Sequence, residues 1–177
     1  MSRYDRHLRA ARIVREAGGM LIGRTRLQKV VYLTQLAGFG EEFDFEYRHY
    51  GPFSEDLATG MEIAAGLGVV NEEEKRADWG GWYSIYRETP QTPAVATADR
   101  SRFVAAAAQV GAIELELAAT AAFLYAKEGV VPPEGDPWDV TRELKPEKAT
   151  PERLARAKAA YRMLRGQATP VKLPPIA

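Results

Sequence analysis

The spacing of apolar residues predicts two helices near the start of the chain. Over residues 3–17, Tyr4, Leu8, Ala11 and Val14 fall on one face at the 3.6-residue period of a helix. Residues 25–37 predict a second helix with Thr25 as its N-cap. Apolar residues cover most of the circumference of this second helix, which is typical of a helix buried at the centre of a domain.

Strand signals follow the second helix. Aromatic and acidic residues alternate over residues 43–47, which indicates a half-buried strand that we expect to extend as far as Tyr50. Ser54 is placed to cap a third helix, whose first turn carries two acids that favour a helix N-terminus. Residues 67–73 and 82–86 then predict a hairpin of about the length of a wing.

The second half of the chain is predicted to be helical. One or two helices cover residues 99–128 with Asp99 as their cap, and Asp136 and Thr150 are placed to begin two more. Residues 166–177 hold three prolines and few apolar anchors, so we expect a loose tail there.

The order of these elements predicts an α+β fold that is mostly helical. We expect residues 1–90 to form a winged-helix-like core of helix, helix, strand, helix and hairpin. Residues 97–165 then form a C-terminal helical extension packed on that core as part of the same domain. A length of 177 residues agrees with one domain.

The composition restricts the chemistry. The chain has no cysteine, which excludes disulfides and thiolate metal sites, and its two histidines, His7 and His49, show no metal-ligand spacing. Neither a glycine-rich phosphate loop nor a nucleophile-elbow serine is present, so we expect no catalytic site, cofactor or metal. No run of about 18 apolar residues and no signal-peptide core occurs, and a cytoplasmic protein without a membrane partner is therefore expected.

Charge is unevenly distributed although the formal net charge is zero. Residues 1–40 carry eight basic and two acidic side chains, whereas residues 41–80 carry three basic and eleven acidic ones. Asymmetry of this kind indicates surfaces of opposite sign that can meet different partners.

Short motifs lie on the second helix and at the end of the predicted strand. The helix carries a leucine-glutamine-lysine triplet and a tyrosine, and the extended stretch ends in tyrosine-glycine-proline. These residues are Leu27, Gln28, Lys29, Tyr32, Tyr50, Gly51 and Pro52. With the later Leu144-Lys145-Pro146 step, the combination resembles the Panacea-type domain and its close relative, the YwgA-type family. The resemblance covers residues 20–75 best, and the Gly51-Pro52-Phe53-Ser54 form is closer to the YwgA-type pattern.

The resemblance implies a winged-helix-like core without catalysis. Panacea-type members are antitoxins, or adaptors that hand a toxin to a protease, and YwgA-type members are predicted regulators. By resemblance, this chain is then a non-catalytic, protein-binding regulator of prokaryotic defence, antitoxin- or adaptor-like. It acts by docking or occluding a partner protein such as a toxin, as a monomer or homodimer.

Candidate partner-binding residues fall into two groups. The motif residues Lys29, Tyr32 and Tyr50 either contact a partner or serve the core, and we favour the core for each. Lys29 would then satisfy backbone carbonyls or a carboxylate, and the tyrosines would be core aromatics whose hydroxyls reach a polar partner. The second group is an acidic surface at the predicted hairpin, suited to a basic partner: Glu72, Glu73 and Glu74.

The alternative is a DNA-binding transcriptional regulator that uses the basic N-terminal helix. Arg6, Arg9 and Arg12 are the candidate phosphate contacts. Steps of three residues drift by about 60° around a helix, so these arginines spiral and do not form one stripe. A solvated helix held by its apolar face explains them equally well. The third helix and the hairpin tip are acidic, which is unfavourable for the usual recognition face.

Overall fold

The structure, a computed structural model, describes residues 5–176 and has an α+β fold. In chain order its elements are α1 (Arg6–Glu16), β1 (Met20–Ile22), α2 (Arg24–Leu36), β2 (Glu46–Arg48), β3 (Gly51–Phe53), α3 (Glu55–Gly66), β4 (Val70–Arg76), β5 (Trp82–Glu88), α4 (Ala98–Gln109), α5 (Ala112–Ala126), α6 (Pro137–Leu144) and α7 (Pro151–Arg165). The finer winged-helix description of residues 1–90 stays a prediction.

Two antiparallel sheets of different size are present. One has the strand order β1-β5-β4, with Leu21 opposite Tyr86 and Glu72 on the other side of the same tyrosine. The other is the short hairpin of β2 and β3, which we call the motif hairpin (residues 46–53). We call β4 and β5 with their connecting turn the long hairpin (residues 70–88).

Both halves of the chain contribute to one hydrophobic core. Leu33 of α2, Phe103 of α4 and Leu117 of α5 have no exposed surface, and α5 packs against both α2 and α7. Full burial of each such side chain stabilises the fold by roughly 1.5–3 kcal/mol. The near-complete burial of α2 and α5 follows from sequences that are apolar around most of the helix.

The strand predicted over residues 43–47 and on to Tyr50 is present only at Glu46–Arg48, so its predicted start is wrong. Phe43 and Phe45 lie in a loop, and the strands begin at Glu46 and Gly51 as two short segments that pair with each other. The aromatic-acidic alternation arises because Phe43 and Phe45 pack on the core from this loop, whereas Asp44 and Glu46 face solvent. The strand Met20–Ile22 was not predicted, because three residues carry no periodicity.

Three of the predicted helix N-caps are confirmed, and two are wrong. Ser54, Asp136 and Thr150 cap α3, α6 and α7 through their side chains, as predicted. Thr25 does not cap α2, which begins one residue earlier after Gly23. Asp99 does not cap α4, because the Thr97 hydroxyl accepts the hydrogen bond from the backbone N–H of Arg100 at 3.1 Å.

The hairpin strands were placed with an offset. The structure has Val70–Arg76 and Trp82–Glu88 where residues 67–73 and 82–86 were predicted. Leu67 and Gly68 instead end α3, since a strand needs cross-strand partners and β5 provides them only from Val70 onward.

The predicted loose tail is wrong as far as residue 176. Leu173 is 1% exposed, and the Tyr161 hydroxyl donates to the Pro174 carbonyl at 2.7 Å. The Arg165 guanidinium donates to the Leu173 carbonyl at 2.9 Å, and the Trp138 indole to the Ile176 carbonyl at 2.5 Å. The segment is ordered by side-chain donors on α6 and α7 that satisfy its backbone.

Within residues 5–176, none of the helices is by itself both long and apolar enough to cross a membrane. The pair α4 and α5 meets that criterion only when taken together, and the chain bends by 119° between them.

Candidate functional site

Two glutamines of α2 hold the segment that carries the motif hairpin. The Gln28 amide donates to the Ser54 carbonyl at 2.9 Å and accepts from the Ser54 backbone N–H at 2.8 Å. Gln35, two turns later, makes the same two bonds to Phe43 at 2.8 and 2.9 Å. Because each side-chain amide satisfies both polar groups of one backbone residue, α2 fixes both ends of the stretch 43–54.

Lys29 and Gly51 lie where the motif hairpin meets the core. The Lys29 side chain is buried, and its ammonium donates to the Pro52 carbonyl at 2.8 Å. Gly51 has φ +89°, and a Cβ there would come within 2.5 Å of the Thr120 hydroxyl. Only glycine combines this backbone angle with such a close approach to α5. The leucine-glutamine-lysine and tyrosine-glycine-proline motifs therefore contact each other directly.

The later leucine-lysine-proline step joins the same cluster. The ammonium of Lys145 donates to the His49 carbonyl at 3.2 Å and to the Glu116 carboxylate at 2.8 Å. Lys148 binds both oxygens of that carboxylate at 3.1 and 2.9 Å. Glu116 is buried on α5, so one carboxylate offsets the charges of two lysines below the motif hairpin.

Burial changes the acid–base properties of this cluster. Burial lowers the pKa of the Lys29 ammonium to about 8, and the nearby charges of Lys145 and Lys148 add to that effect while Glu116 opposes it. Burial also raises the pKa of the Tyr32 hydroxyl far above its ordinary value.

The motif tyrosines have different environments. Tyr32 is buried and packs edge-on against Phe45 with ring centroids 5.2 Å apart, as the core interpretation predicted. Its hydroxyl has no hydrogen-bond partner among residues 5–176, so the predicted polar partner is wrong. Tyr50 is 57% exposed, which contradicts its predicted place in the core, and the Lys148 ammonium lies 4.7 Å from its ring centroid.

A pocket of about 300 Å³ opens between α2, α3, the motif hairpin and the long hairpin. Its lining is mostly apolar, with charged groups of Arg24, Lys29, Glu62 and Glu72 among them. The remaining lining residues are Thr25, Leu27, Gln28, Tyr50, Phe53, Ala58, Met61 and Tyr86. Because Gln28 and Lys29 position the motif hairpin, they also determine where Tyr50 and Phe53 stand in the wall of this pocket.

Ion pairs cross the rim of the pocket. The Arg24 guanidinium binds Glu72 and Glu74 at 2.8 Å each, and the Ser84 hydroxyl donates to Glu72 at 2.7 Å. Burial alone would raise the pKa of the Glu72 carboxyl, but the bonds from Ser84 and Arg24 outweigh it and lower that pKa. Burial raises the pKa of the neighbouring Tyr86 hydroxyl to about 12.

The predicted acidic surface is thus divided. Glu72 and Glu74 share Arg24 at the pocket, whereas Glu73 lies on the opposite face of the long hairpin. There the Glu73 carboxylate accepts from Arg87 at 2.6 Å and lies 3.6 Å from the Lys75 ammonium. Strand alternation separates the three glutamates, so they do not form one acidic patch.

Two of the predicted phosphate contacts are paired with acids. Arg6 lies 2.6 Å from the Asp56 carboxylate and Arg9 lies 3.6 Å from that of Glu42. The Arg12 Nε is buried without a hydrogen-bond partner among the described residues. The basic charge of α1 is therefore partly offset by the acidic segment that packs beside it.

Sequence reasoning missed several functional candidates. Arg24, Ala58, Met61 and Glu62 line the pocket, and Glu116 carries the buried charge of the cluster. A weak signal was available for Glu116, since it is the charged residue in the otherwise apolar middle of α5. No metal-holding group of three or more histidine or carboxylate side chains occurs within residues 5–176.

Comparison with known proteins gives an informative relative. No protein-family model matches the chain. Among curated proteins, the chain is similar to the uncharacterized protein YwgA of Bacillus subtilis (strain 168), with 37% identity over 71 residues. The match covers 39% of this chain and 40% of YwgA, so the chain spans less than half of that relative. The similarity supports the YwgA-like part of the predicted resemblance, whereas the Panacea-type part stays a prediction.

Proposed function

We propose that this protein is a non-catalytic, protein-binding regulator whose pocket takes an apolar side chain of a partner protein, next to a basic residue of that partner. The observation that carries the proposal is the pocket itself, which combines apolar walls with an acidic rim. Its walls come from Leu27, Phe53 and Met61, and the exposed Glu62 stands at its edge.

The size of the pocket favours a single anchoring group. A volume of about 300 Å³ is at the lower end for small-molecule sites. Protein interfaces typically concentrate their binding energy in a few apolar or aromatic anchors that fill such pockets. The apolar walls would supply most of the affinity, and the rim would exclude water around the anchor.

The charge at the rim favours a basic neighbour of that anchor. Glu62 has no ion pair among the described residues, and Glu72 and Glu74 share the single cation Arg24. A lysine or arginine of the partner would pair with the Glu62 carboxylate at the edge of the pocket. Complementary charge would speed and orient the encounter more than it would tighten the complex.

The finer role comes from the resemblance. A toxin that binds nucleic acid carries a basic surface, and a Panacea-type antitoxin or adaptor would dock or occlude such a protein. We therefore propose antitoxin- or adaptor-like regulation as the biological form of this binding. A small toxic reading frame next to the gene would support it.

The alternative proposal, DNA binding through α1, has less support. The acid partners of Arg6 and Arg9 would have to be displaced before these guanidiniums could bind phosphates. A steep fall of affinity for duplex DNA with salt, lost when Arg6, Arg9 and Arg12 are changed to glutamate, would favour the alternative.

The test is affinity purification of tagged protein from its host, with nuclease treatment and a salt wash. Ala58→Trp fills the pocket from α3, and Glu62→Lys reverses the rim charge. Thr59→Trp is the matched control, because the exposed Thr59 neighbours Ala58 but does not line the pocket. We expect a stoichiometric protein that is retained by Thr59→Trp and lost by both pocket variants. Equal recovery with all variants, or nucleic acid alone, would overturn the proposal.

A further inference from the structure

The long hairpin leaves one sheet edge open. The strand order β1-β5-β4 makes β4 an outer strand of seven residues, whereas β1, the other outer strand, has three. Most of β4 is exposed or half-exposed. It packs mainly against β5 and α3, and Arg24 of α2 bonds its Glu72 and Glu74 side chains. An open edge of this length is a template for pairing with another strand.

The hydrogen bonds of β5 identify which groups of β4 face outward. The Gly23 N–H donates to the Ser84 carbonyl, and the Glu88 N–H to the Gly19 carbonyl, so the even-numbered residues of β5 bond β1. The odd-numbered residues of β5 therefore bond β4, through Asn71, Glu73 and Lys75. The N–H and carbonyl groups of the remaining residues of β4 point away from the sheet: Val70, Glu72, Glu74 and Arg76.

We propose that β4 pairs antiparallel with β4 of a second copy of this chain, with the two-fold axis at Glu74. In this register Glu72 of each copy lies opposite Arg76 of the other, and Glu74 lies opposite Glu74. The backbone groups of Glu72, Glu74 and Arg76 all point outward, so each of these pairs exchanges two hydrogen bonds. The two three-stranded sheets become one continuous sheet.

Charge complementarity favours a second copy of this chain as the partner of β4. On one sheet face the register opposes Glu72 and Arg76, and on the other it opposes Glu73 and Lys75, in both cases twice because of the symmetry. The one unfavourable pair is Glu74 with its own copy. Each of those carboxylates already has Arg24 at 2.8 Å, so the like charges are offset within each subunit.

Charged residues on an edge strand usually prevent edge-to-edge association. Here the sequence Glu72-Glu73-Glu74-Lys75-Arg76 changes sign from acidic to basic along the strand. A parallel pair in register would oppose like charges, and an antiparallel pair opposes unlike ones. The charges therefore specify one register and do not simply block pairing.

The same register accounts for exposed apolar groups outside the strand. In this register, the turn between β4 and β5 of each copy lies beside Val70 of the other copy. The end of α3 of that other copy is nearby. Trp79 in that turn is 79% exposed, and Leu67 at the end of α3 is 60% exposed. Pairing would bring these two groups to the same end of the interface.

The test is sedimentation velocity of the full chain over a range of concentrations. Glu74→Pro removes an outward N–H without removing a bond to β5, and proline is tolerated at such edge positions. Lys75→Glu opposes two acids across the interface, and the double variant Glu73→Lys with Lys75→Glu exchanges the signs and restores the attraction. Lys127→Glu is the control, because it makes the same charge change at an exposed residue after α5.

We expect a dimer whose Kd rises at least tenfold in Glu74→Pro and Lys75→Glu. The same account expects recovery in the double variant and no change in Lys127→Glu. A chain that stays monomeric at several hundred micromolar would overturn the proposal. So would a dimer that Glu74→Pro leaves intact, since its interface would lie elsewhere. The pocket variants Ala58→Trp and Glu62→Lys change no outward-facing backbone group of β4. Failure of the proposed function and failure of this dimer proposal can therefore be told apart.

Discussion

The two hairpins of this protein are built in opposite ways. The motif hairpin is short, and side chains of α2 and of the segment after α6 bond the backbone of the hairpin and of Ser54 next to it. Its Gly51 lies close to Thr120 of α5. The long hairpin has more than twice as many strand residues, and its charges pair among themselves and with Arg24 at the surface. The motif residues surround the first hairpin, whereas the open sheet edge of β4 belongs to the second.

The difference separates structural residues from binding residues. Gln28 bonds Ser54 next to the motif hairpin, Lys29 bonds Pro52 within it, and Gly51 lies close to α5. These motif residues therefore have structural roles. The surfaces available to partners are the pocket and the edge of β4. Both use side chains outside the motifs, such as Met61 and Glu62 at the pocket, although motif residues also line part of the pocket. Variants of the first set are expected to change stability, and variants of the second set to change binding.

The largest expected effect is at the buried carboxylate. Glu116→Gln leaves Lys145 buried without a counter-charge, and we expect a loss of about 4 kcal/mol of unfolding free energy. Glu114→Gln on the same helix is the control, because its partner Arg156 is exposed, and it is expected to cost less than about 1 kcal/mol. Urea unfolding measures both. Equal small losses would show that the cluster below the motif hairpin contributes little.

The second-largest expected loss of stability is that of Gly51→Ala. The substitution combines a left-handed backbone angle with a contact of 2.5 Å to Thr120, and we expect it to cost about 3 kcal/mol. Gly68→Ala has a similar angle, φ +72°, but open space around it, and should cost about 1 kcal/mol. The difference between the two unfolding free energies isolates the close approach to α5. If the two variants lose the same stability, the motif hairpin is not held tightly against α5.

The two glutamines of α2 provide a matched pair. Gln28→Ala leaves both polar groups of Ser54 buried and unpaired, which should cost about 2–3 kcal/mol. Gln35→Ala removes the same two bonds from a half-buried site where water can replace them, and should cost about 1 kcal/mol. Thermal or urea unfolding measures the loss of stability in each variant. A larger loss in Gln35→Ala than in Gln28→Ala would contradict this prediction.

The smallest expected effect is the pH dependence due to Lys29. Its folded pKa of about 8 is below the ordinary 10.5, so the folded state binds this proton less tightly than the unfolded state. The associated destabilisation is fully present below pH 8 and disappears as the pH rises toward 10.5. The wild type should therefore gain about 2 kcal/mol between pH 8 and pH 10 relative to Lys29→Met. The exposed Lys127→Met serves as control and should retain the wild-type slope.

Local features of the fold were predictable, and distant pairings were not. Ser54 and Asp136 cap helices through bonds to residues two or three positions away, so their sequence context suffices. β1 was missed because its partner strand lies more than sixty residues later. The order of the tail was missed because bonds from Val171 to Ala37 and from Trp138 to Ile176 join residues far apart in sequence. The same limit applied to the site. A backbone partner for Lys29 was predictable from the cost of burying an unpaired charge, but Glu116 and the pocket walls were not.

Amide hydrogen exchange by NMR tests most directly whether the motif residues hold the motif hairpin in place. The Ser54 N–H is bonded to the Gln28 side chain, and we expect it to exchange only through global unfolding, with loss of that protection in Gln28→Ala. The outward N–H of Glu74, measured in dilute protein, should exchange far faster. Rapid exchange of Ser54 in the wild type, at a rate close to that of Glu74, would contradict the account.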